Sequence, residues 1–229
     1  MKLLEDYLEK LNICYDDNIL QKFEKYYELL IFYNNQFNLT NITEKNDVII
    51  KHFADSLYGY SFFKETNCVA DVGAGAGFPS IPLAIVLPDV NFTLIDSLNK
   101  RVNFLNVVKE ELNLNNVTAV HSRVEDFCSK KRNTFDMATA RAVASLPTLL
   151  EYLIPLVKVG GSAVCYKSLN IDNELNLCKN AFKKLYCELD KKYDYNIDGN
   201  FRSIVTIKSY KECNKCYPRS GNKPKLKPL

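Results

Sequence analysis

The sequence predicts an α/β fold: a mostly parallel, doubly wound sheet with an antiparallel hairpin at its C-terminal end and a helical cap at its N-terminal end. Three observations carry that expectation. From residue 67 onward short β-like runs alternate with helical segments, the pattern of parallel βαβ units. Two further β-like runs, around "YCELDKKYDYN" and "FRSIVTIKSY", then follow one another with no helix between them, as a hairpin requires. Before residue 50, apolar residues recur at helical spacing instead.

In the N-terminal part, Leu4, Tyr7, Leu8 and Leu11 repeat at three and four, and Ile19, Leu20, Phe23, Tyr26, Tyr27, Leu30 and Ile31 do so again after the break at "YDDN". Two amphipathic helices need a surface to pack on, so residues 1–50 are expected to cap a main domain spanning 51–210. The strands of that domain are expected in "CVADVG", "NFTLID", "VTAVHS", "FDMATARAV" and "GSAVCYK", separated by helical segments such as "SLNKRVNFLNVVKEELNL" and "SLPTLLEYLIPLVKV". Residues 211–229 remain as a basic tail.

Composition excludes several classes. At 229 residues with 47% hydrophobic content, the chain buries a full core in one domain and is neither disordered nor fibrous. No apolar run approaches the roughly 20 residues that span a bilayer, and the acidic start "MKLLEDYLEK" lacks the apolar core of a signal peptide, so a soluble cytoplasmic protein is expected. The eight cysteines (14, 68, 128, 165, 178, 187, 213 and 216) have no framework spacing, which fits reduced thiols. Cys213 and Cys216 form a C-x-x-C pair without the second pair that a zinc site needs, and no metal is expected.

The net charge of +3 is unevenly placed: from Lys208 onward seven basic residues face Glu212 alone. A basic, proline-containing end on a slightly acidic body reads either as an arm for a polyanion or as a solubilising terminus.

In a doubly wound sheet ligands bind at the carboxyl ends of the strands, near the switch in strand order. The first strand runs into Gly73, Gly75 and Gly77, which let the backbone turn sharply and approach a ligand closely. The second ends at Asp96, placed to accept hydrogen bonds from ribose hydroxyls. A nucleoside is therefore indicated. A dinucleotide cradle wants G-x-G-x-x-G, whereas here the spacing is G-x-G-x-G followed by Phe78 and Pro79. A bulky ring and a residue with no N–H make a poor pyrophosphate site, and S-adenosylmethionine, which has no phosphate, fits better.

Other positions suit the same pocket. After the third strand, Val124 offers an apolar wall and Glu125 an acceptor for the adenine amino group; Glu125 is equally well placed as an acid favoured by a helix N-terminus. Arg141 ends the fourth strand, as a ligand contact or as half of a salt bridge.

Seven motifs in order, "FNLTNI" (37–42), "KHFADSL" (51–57), "VADVGAGAGFPSIPLAI" (69–85), "LIDSLNKRVNFL" (94–105), "HSRVEDF" (121–127), "ARAVASL" (140–146) and "YPRSGNKPKLKPL" (217–229), resemble the RsmG (GidB) family. That family comprises small-subunit ribosomal RNA guanine-N7 methyltransferases. The resemblance implies a class I, Rossmann-like methyltransferase using S-adenosylmethionine, with 16S rRNA as partner and no membrane association. It carries cofactor contacts onto Gly73, Phe78, Val124, Glu125 and Arg141, with Asp96 at the ribose position, and an RNA-facing set onto Lys100, Arg101, Arg123, Arg141 and Lys167. Ser80 and Ser168 stand where the family often has glycine, and a tryptophan usual near "FYNNQFNLT" is absent.

Guanine N7 presents a free lone pair, so the reaction needs alignment and water exclusion rather than a general base. No catalytic side chain is therefore expected, and His52 in "KHFADSL" is read as holding the cap onto the domain. A monomer is expected. Two alternatives stay open: an NAD-binding oxidoreductase, which shares the sheet and the acid after the second strand, and a non-catalytic ribosome-assembly RNA-binding protein.

Overall fold

The computed structural model describes residues 1–168 and 171–229. Among these residues seven strands form one sheet: β1 (Cys68–Val72), β2 (Asn91–Asp96), β3 (Val117–His121), β4 (Phe135–Arg141), β5 (Val157–Ser168), β6 (Cys187–Ile197) and β7 (Asn200–Ser209). Their order is β3-β2-β1-β4-β5-β7-β6. β1 to β5 pair in parallel, while β7 is antiparallel to both β5 and β6. The expected hairpin is thus present, and it closes the sheet by inserting its second strand beside β5. Strand order reverses between β1 and β4, which brings the ends of those two strands together at the switch point.

The cap contains α1 (Lys2–Lys10) and α2 (Asp17–Asn34), then α3 (Lys45–Val48), a π-helical stretch Ile49–Ala54, α4 (Asp55–Leu57) and α5 (Tyr60–Phe63). α2 begins where "YDDN" breaks the helical pattern, because the Asp16 carboxylate accepts from the Ile19 N–H at 2.9 Å and caps the first turn. The boundary expected at residue 50 falls inside the π-helical stretch.

Between strands lie α6 (Ser80–Val86), α7 (Asn99–Glu111), α8 (Val124–Lys130) and α9 (Leu146–Leu153), followed after β5 by α10 (Ile171–Leu177) and α11 (Lys179–Leu185). A short α12 (Lys223–Leu226) lies near the C-terminus. Strand residues alternate between two cores, as the pleat requires. Val164 and Tyr166 of β5 enter the core shared with the cap, α6 and α7, whereas Ala163 and Cys165 enter the core of α8, α9 and α11. The first core runs unbroken from Leu4 to Ile204, so cap and sheet bury one another's apolar faces as a single body.

The basic tail packs against the second core instead of extending from it. Cys213 and Leu229 are buried there, and Arg132 donates to the carbonyls of Cys213, Asn214 and Tyr217. Its apolar and arginine-binding residues give the tail a surface on which to settle, which its net charge does not reveal.

Candidate functional site: two clefts that meet at Ala142

A cleft of about 290 Å³ opens at the switch point. Its wall includes Gly73 after β1, Asp96 at the end of β2, Val124 and Glu125 at the start of α8, Ala142 and Val143 after β4, and Tyr152 of α9. Four of the seven expected cofactor residues therefore converge although they come from three different strand ends.

The glycine turn is shaped for close approach. Gly73 has φ +70°, and a Cβ there would lie 2.8 Å from Val143 Cγ2. Gly75 contributes differently: its N–H donates to Asp96 Oδ2 at 2.9 Å, tying the turn to the end of β2. Asp96 is nearly buried; Oδ1 also accepts from the Leu98 N–H at 2.9 Å, and Arg101 lies 3.5 Å from Oδ2. A carboxylate with about four lone-pair positions keeps capacity for a ribose hydroxyl in that arrangement. The cleft thus combines a close backbone approach, a hydroxyl acceptor, an apolar wall at Val124 and an acceptor at Glu125. This donor and acceptor set fits the ribose and adenine of S-adenosylmethionine.

Phe78 has a different place from the one expected. It is not in the cleft wall: its ring turns into the cap core, 5.6 Å from the Tyr26 ring, and stacks on the His52 imidazole at 4.4 Å. Tyr26 reinforces that contact by donating to the Ala76 carbonyl at 2.6 Å. An aromatic ring gains more from a shell of aromatic neighbours than from a solvent-facing cleft, so the residue serves the turn from behind.

Arg141 also faces the cap. Its guanidinium donates to Asp55 Oδ2 at 2.8 Å and to His52 Nδ1 at 3.2 Å, and lies 4.9 Å from the centre of the Phe78 ring. Because a guanidinium only donates, Nδ1 must accept, and His52 Nε2–H then donates to Thr40 Oγ1 at 2.8 Å. Burial, with Arg141 adding to it, lowers the His52 pKa to about 3, so the ring is neutral. Asp55, from α4, accepts in addition from the Tyr195 hydroxyl at 2.8 Å. Sequence reading gave Asp55 no role; its only trace is its place in the "KHFADSL" motif.

Arg141, His52, Asp55, Tyr166, Lys167, Tyr195 and Arg202 line a second cleft of about 370 Å³. Ala142 belongs to the walls of both clefts. The basic residues expected to face RNA are accordingly divided. Arg101 and Arg123 lie in the first cleft, Arg141 and Lys167 in the second, and exposed Lys100 lines neither, its ammonium 5.6 Å from the Phe37 ring centre. Lys167 is already engaged, donating to the Ala144 carbonyl at 3.1 Å and pairing with Glu174 at 2.7 Å. Arg202, which sequence reading missed, is more exposed in this wall than Arg141 or Lys167; nothing in "NFRSIVTIKSY" distinguishes it from other surface arginines.

Below the floor, Asp71 and Ser80 are buried, and among the described residues neither finds a partner with good hydrogen-bond geometry. Burial pushes the Asp71 carboxyl up to about 7, with the nearby Ser80 and Arg141 opposing.

A family model described as "GidB: rRNA small subunit methyltransferase G" matches residues 19–195. The chain belongs to the rRNA small subunit methyltransferase G family. Relatives bearing that name are 44% identical in Lactococcus lactis, with 97% of this chain and 96% of the relative covered, and 43% identical in Bacillus subtilis, with 92% and 90% covered. Among solved structures, a SAM-dependent methyltransferase from Aquifex aeolicus superposes with a TM-score of 0.53 over 72% of this chain and 93% of its own, at 18% identity. TYW2 from M. jannaschii in complex with AdoMet gives 0.52 over 68% and 76%, at 14% identity, a likeness of fold. Membership makes the chain an S-adenosylmethionine-dependent methyltransferase with a Rossmann-like domain, and the oxidoreductase alternative finds no support among these relatives.

Proposed function

We propose that this family member transfers the methyl group of S-adenosylmethionine to N7 of a guanine in 16S rRNA, acting in the cytoplasm as a monomer on the small subunit or a precursor of it. The observation that carries this reading is the junction at Ala142: a nucleoside-shaped cleft on one side, a cleft rimmed by arginines and tyrosines on the other. The first cleft holds the donor and the second admits the acceptor base.

Bound S-adenosylmethionine supplies an electrophilic methyl on a sulfonium. Because guanine N7 carries a free lone pair, its methylation would require no proton to be moved by any side chain. Side chains are then needed for position. Gly73, Asp96, Val124 and Glu125 orient the nucleoside, and Arg141, clamped by Asp55 and His52, shapes the wall the base meets. Alignment of this kind supplies up to about 7–11 kcal/mol of barrier lowering when geometry is ideal. Neutral His52 adds no further positive charge beside a purine that becomes cationic. Arg202 and Lys100 suit phosphates farther from the ring.

Incubation with methyl-labelled S-adenosylmethionine and small subunits lacking the modification, followed by mapping of the methylated nucleotide, tests the reading. Label at N7 of a single 16S guanine is expected. No transfer to any rRNA preparation overturns it.

A further inference from the structure

We infer that the C-terminal segment 219–225 is a wall of the S-adenosylmethionine cleft, held in place by the Arg219–Glu151 ion pair. Gly221, Asn222 and Lys225 line that cleft beside Glu125, Val143 and Tyr152. They reach it because the segment is fastened at several points. The Arg219 backbone N–H and Nε donate to Glu151 Oε1 at 2.7 and 2.8 Å, and its NH2 group donates to Oε2 at 2.7 Å and to the Lys227 carbonyl at 2.8 Å. Thr148 Oγ1 donates to the Pro224 carbonyl at 2.9 Å, and Pro224 itself is buried.

The chemistry of Glu151 supports a positioning role. Its side chain is fully buried within apolar α9, where an unpaired carboxylate is strongly disfavoured, and the contacts from Arg219 compensate it. Glu151 is also the neighbour of Tyr152, which lines the cleft. One helix therefore presents a wall residue and, in the adjacent position, anchors the chain that forms the wall beside it. Asn222 is fixed in turn, its carbonyl accepting from the N–H groups of Lys225 and Leu226 at 3.1 and 2.9 Å. Two consequences follow. The segment shields the bound nucleoside from solvent, and the Lys225 side chain adds a cation to the cleft wall. Arg219 is a positioning residue, and Asn222 and Lys225 are binding residues.

This inference rests on the cofactor assignment, and binding without turnover separates the two. Affinity for S-adenosylhomocysteine is measured by calorimetry on the full chain for wild type, for the surface double variant Asn222→Ala/Lys225→Ala and for Arg219→Lys, with small-subunit affinity measured in parallel by filter binding. Weakening of about tenfold is expected in both variants, with subunit affinity held within about twofold. Circular dichroism checks that Arg219→Lys, which leaves Glu151 with fewer bonds, stays folded; the surface double variant reads the wall even where it does not. Unchanged S-adenosylhomocysteine affinity in the double variant overturns the inference. So does loss of subunit affinity alone, which returns the segment to the role of an arm for RNA. Wild-type protein that fails to bind S-adenosylhomocysteine overturns the cofactor assignment itself and the wall with it.

Discussion

Arg141 and Asp55 meet at 2.8 Å, both largely buried, and the pair joins the end of the fourth strand to the helical cap at the point where the two clefts touch. Their separation in sequence is 86 residues, so the contact locks cap to sheet over a long loop. Breaking a buried pair leaves an uncompensated charge, at a cost of about 3–5 kcal/mol. Asp55→Asn and Arg141→Gln are each expected to lower the unfolding midpoint in urea. The double replacement should cost less than the sum of the two by more than about 1 kcal/mol; additive losses would show that the pair is not coupled.

His52 and Asp71 give opposite pH dependences. Between its ordinary pKa of 6.5 and about 3, the unfolded chain binds a proton at His52 that the folded protein refuses, so His52 makes stability fall as pH falls through that window. Asp71 keeps a proton in the folded state between 3.8 and about 7, so it makes stability rise as pH falls. Where the windows overlap the two offset one another. Relative to wild type, His52→Gln should gain in thermal midpoint as pH is lowered from 7 to about 4.5, and Asp71→Asn should lose. Parallel curves for all three proteins would contradict both assignments.

At Gly73 a side chain meets two obstacles, the positive φ and the Val143 methyl. Gly73→Ala is expected to cost about 1–3 kcal/mol of stability and to weaken S-adenosylhomocysteine binding. Only the steric part is relieved by shortening Val143, so Gly73→Ala/Val143→Ala should recover some affinity without recovering all of it. Full recovery would mean that the backbone conformation is not strained by the substitution.

Arg202 stands at the mouth of the second cleft with its Nε 3.7 Å from Asp55. Arg202→Ala is expected to raise KM for the small subunit, to reduce the slope of affinity against salt by about one ion, and to leave cofactor affinity unchanged. Arg123→Ala, in the wall of the first cleft, should weaken cofactor binding as well. If Arg202→Ala left subunit KM and salt dependence untouched, the acceptor would not enter by this cleft.

Much of the fold was legible because local patterns decide it. The β-like runs, the glycine turn and the acid closing the second strand lie in order along the chain, and a parallel sheet with a terminal hairpin follows from that order. The gathering of the first cleft's wall was legible for the same reason: Gly73, Asp96, Val124 and Glu125 sit at strand ends, which the topology must gather at one edge. Phe78 and Arg141 show where the reading stopped. Their positions beside the turn and after the fourth strand were plain, but which way each side chain points depends on the cap, whose His52 and Asp55 reach them only in the folded molecule. The lone Glu151 in the apolar run "LPTLLEYLIPL" was a visible anomaly, yet its partner lies 68 residues away.

The sequence by itself therefore determined the α/β class, the sheet's parallel core and hairpin, the glycine turn and the family motifs, because these depend on period, spacing and residue type. Only the tertiary structure decided that the basic tail packs on the second core, that Phe78 backs the turn from the cap, and that four of the five basic residues divide between two clefts while Lys100 lines neither. The physical reason is that a buried charge or ring takes the partner that best satisfies it, and the distance to that partner is set by packing and not by position along the chain.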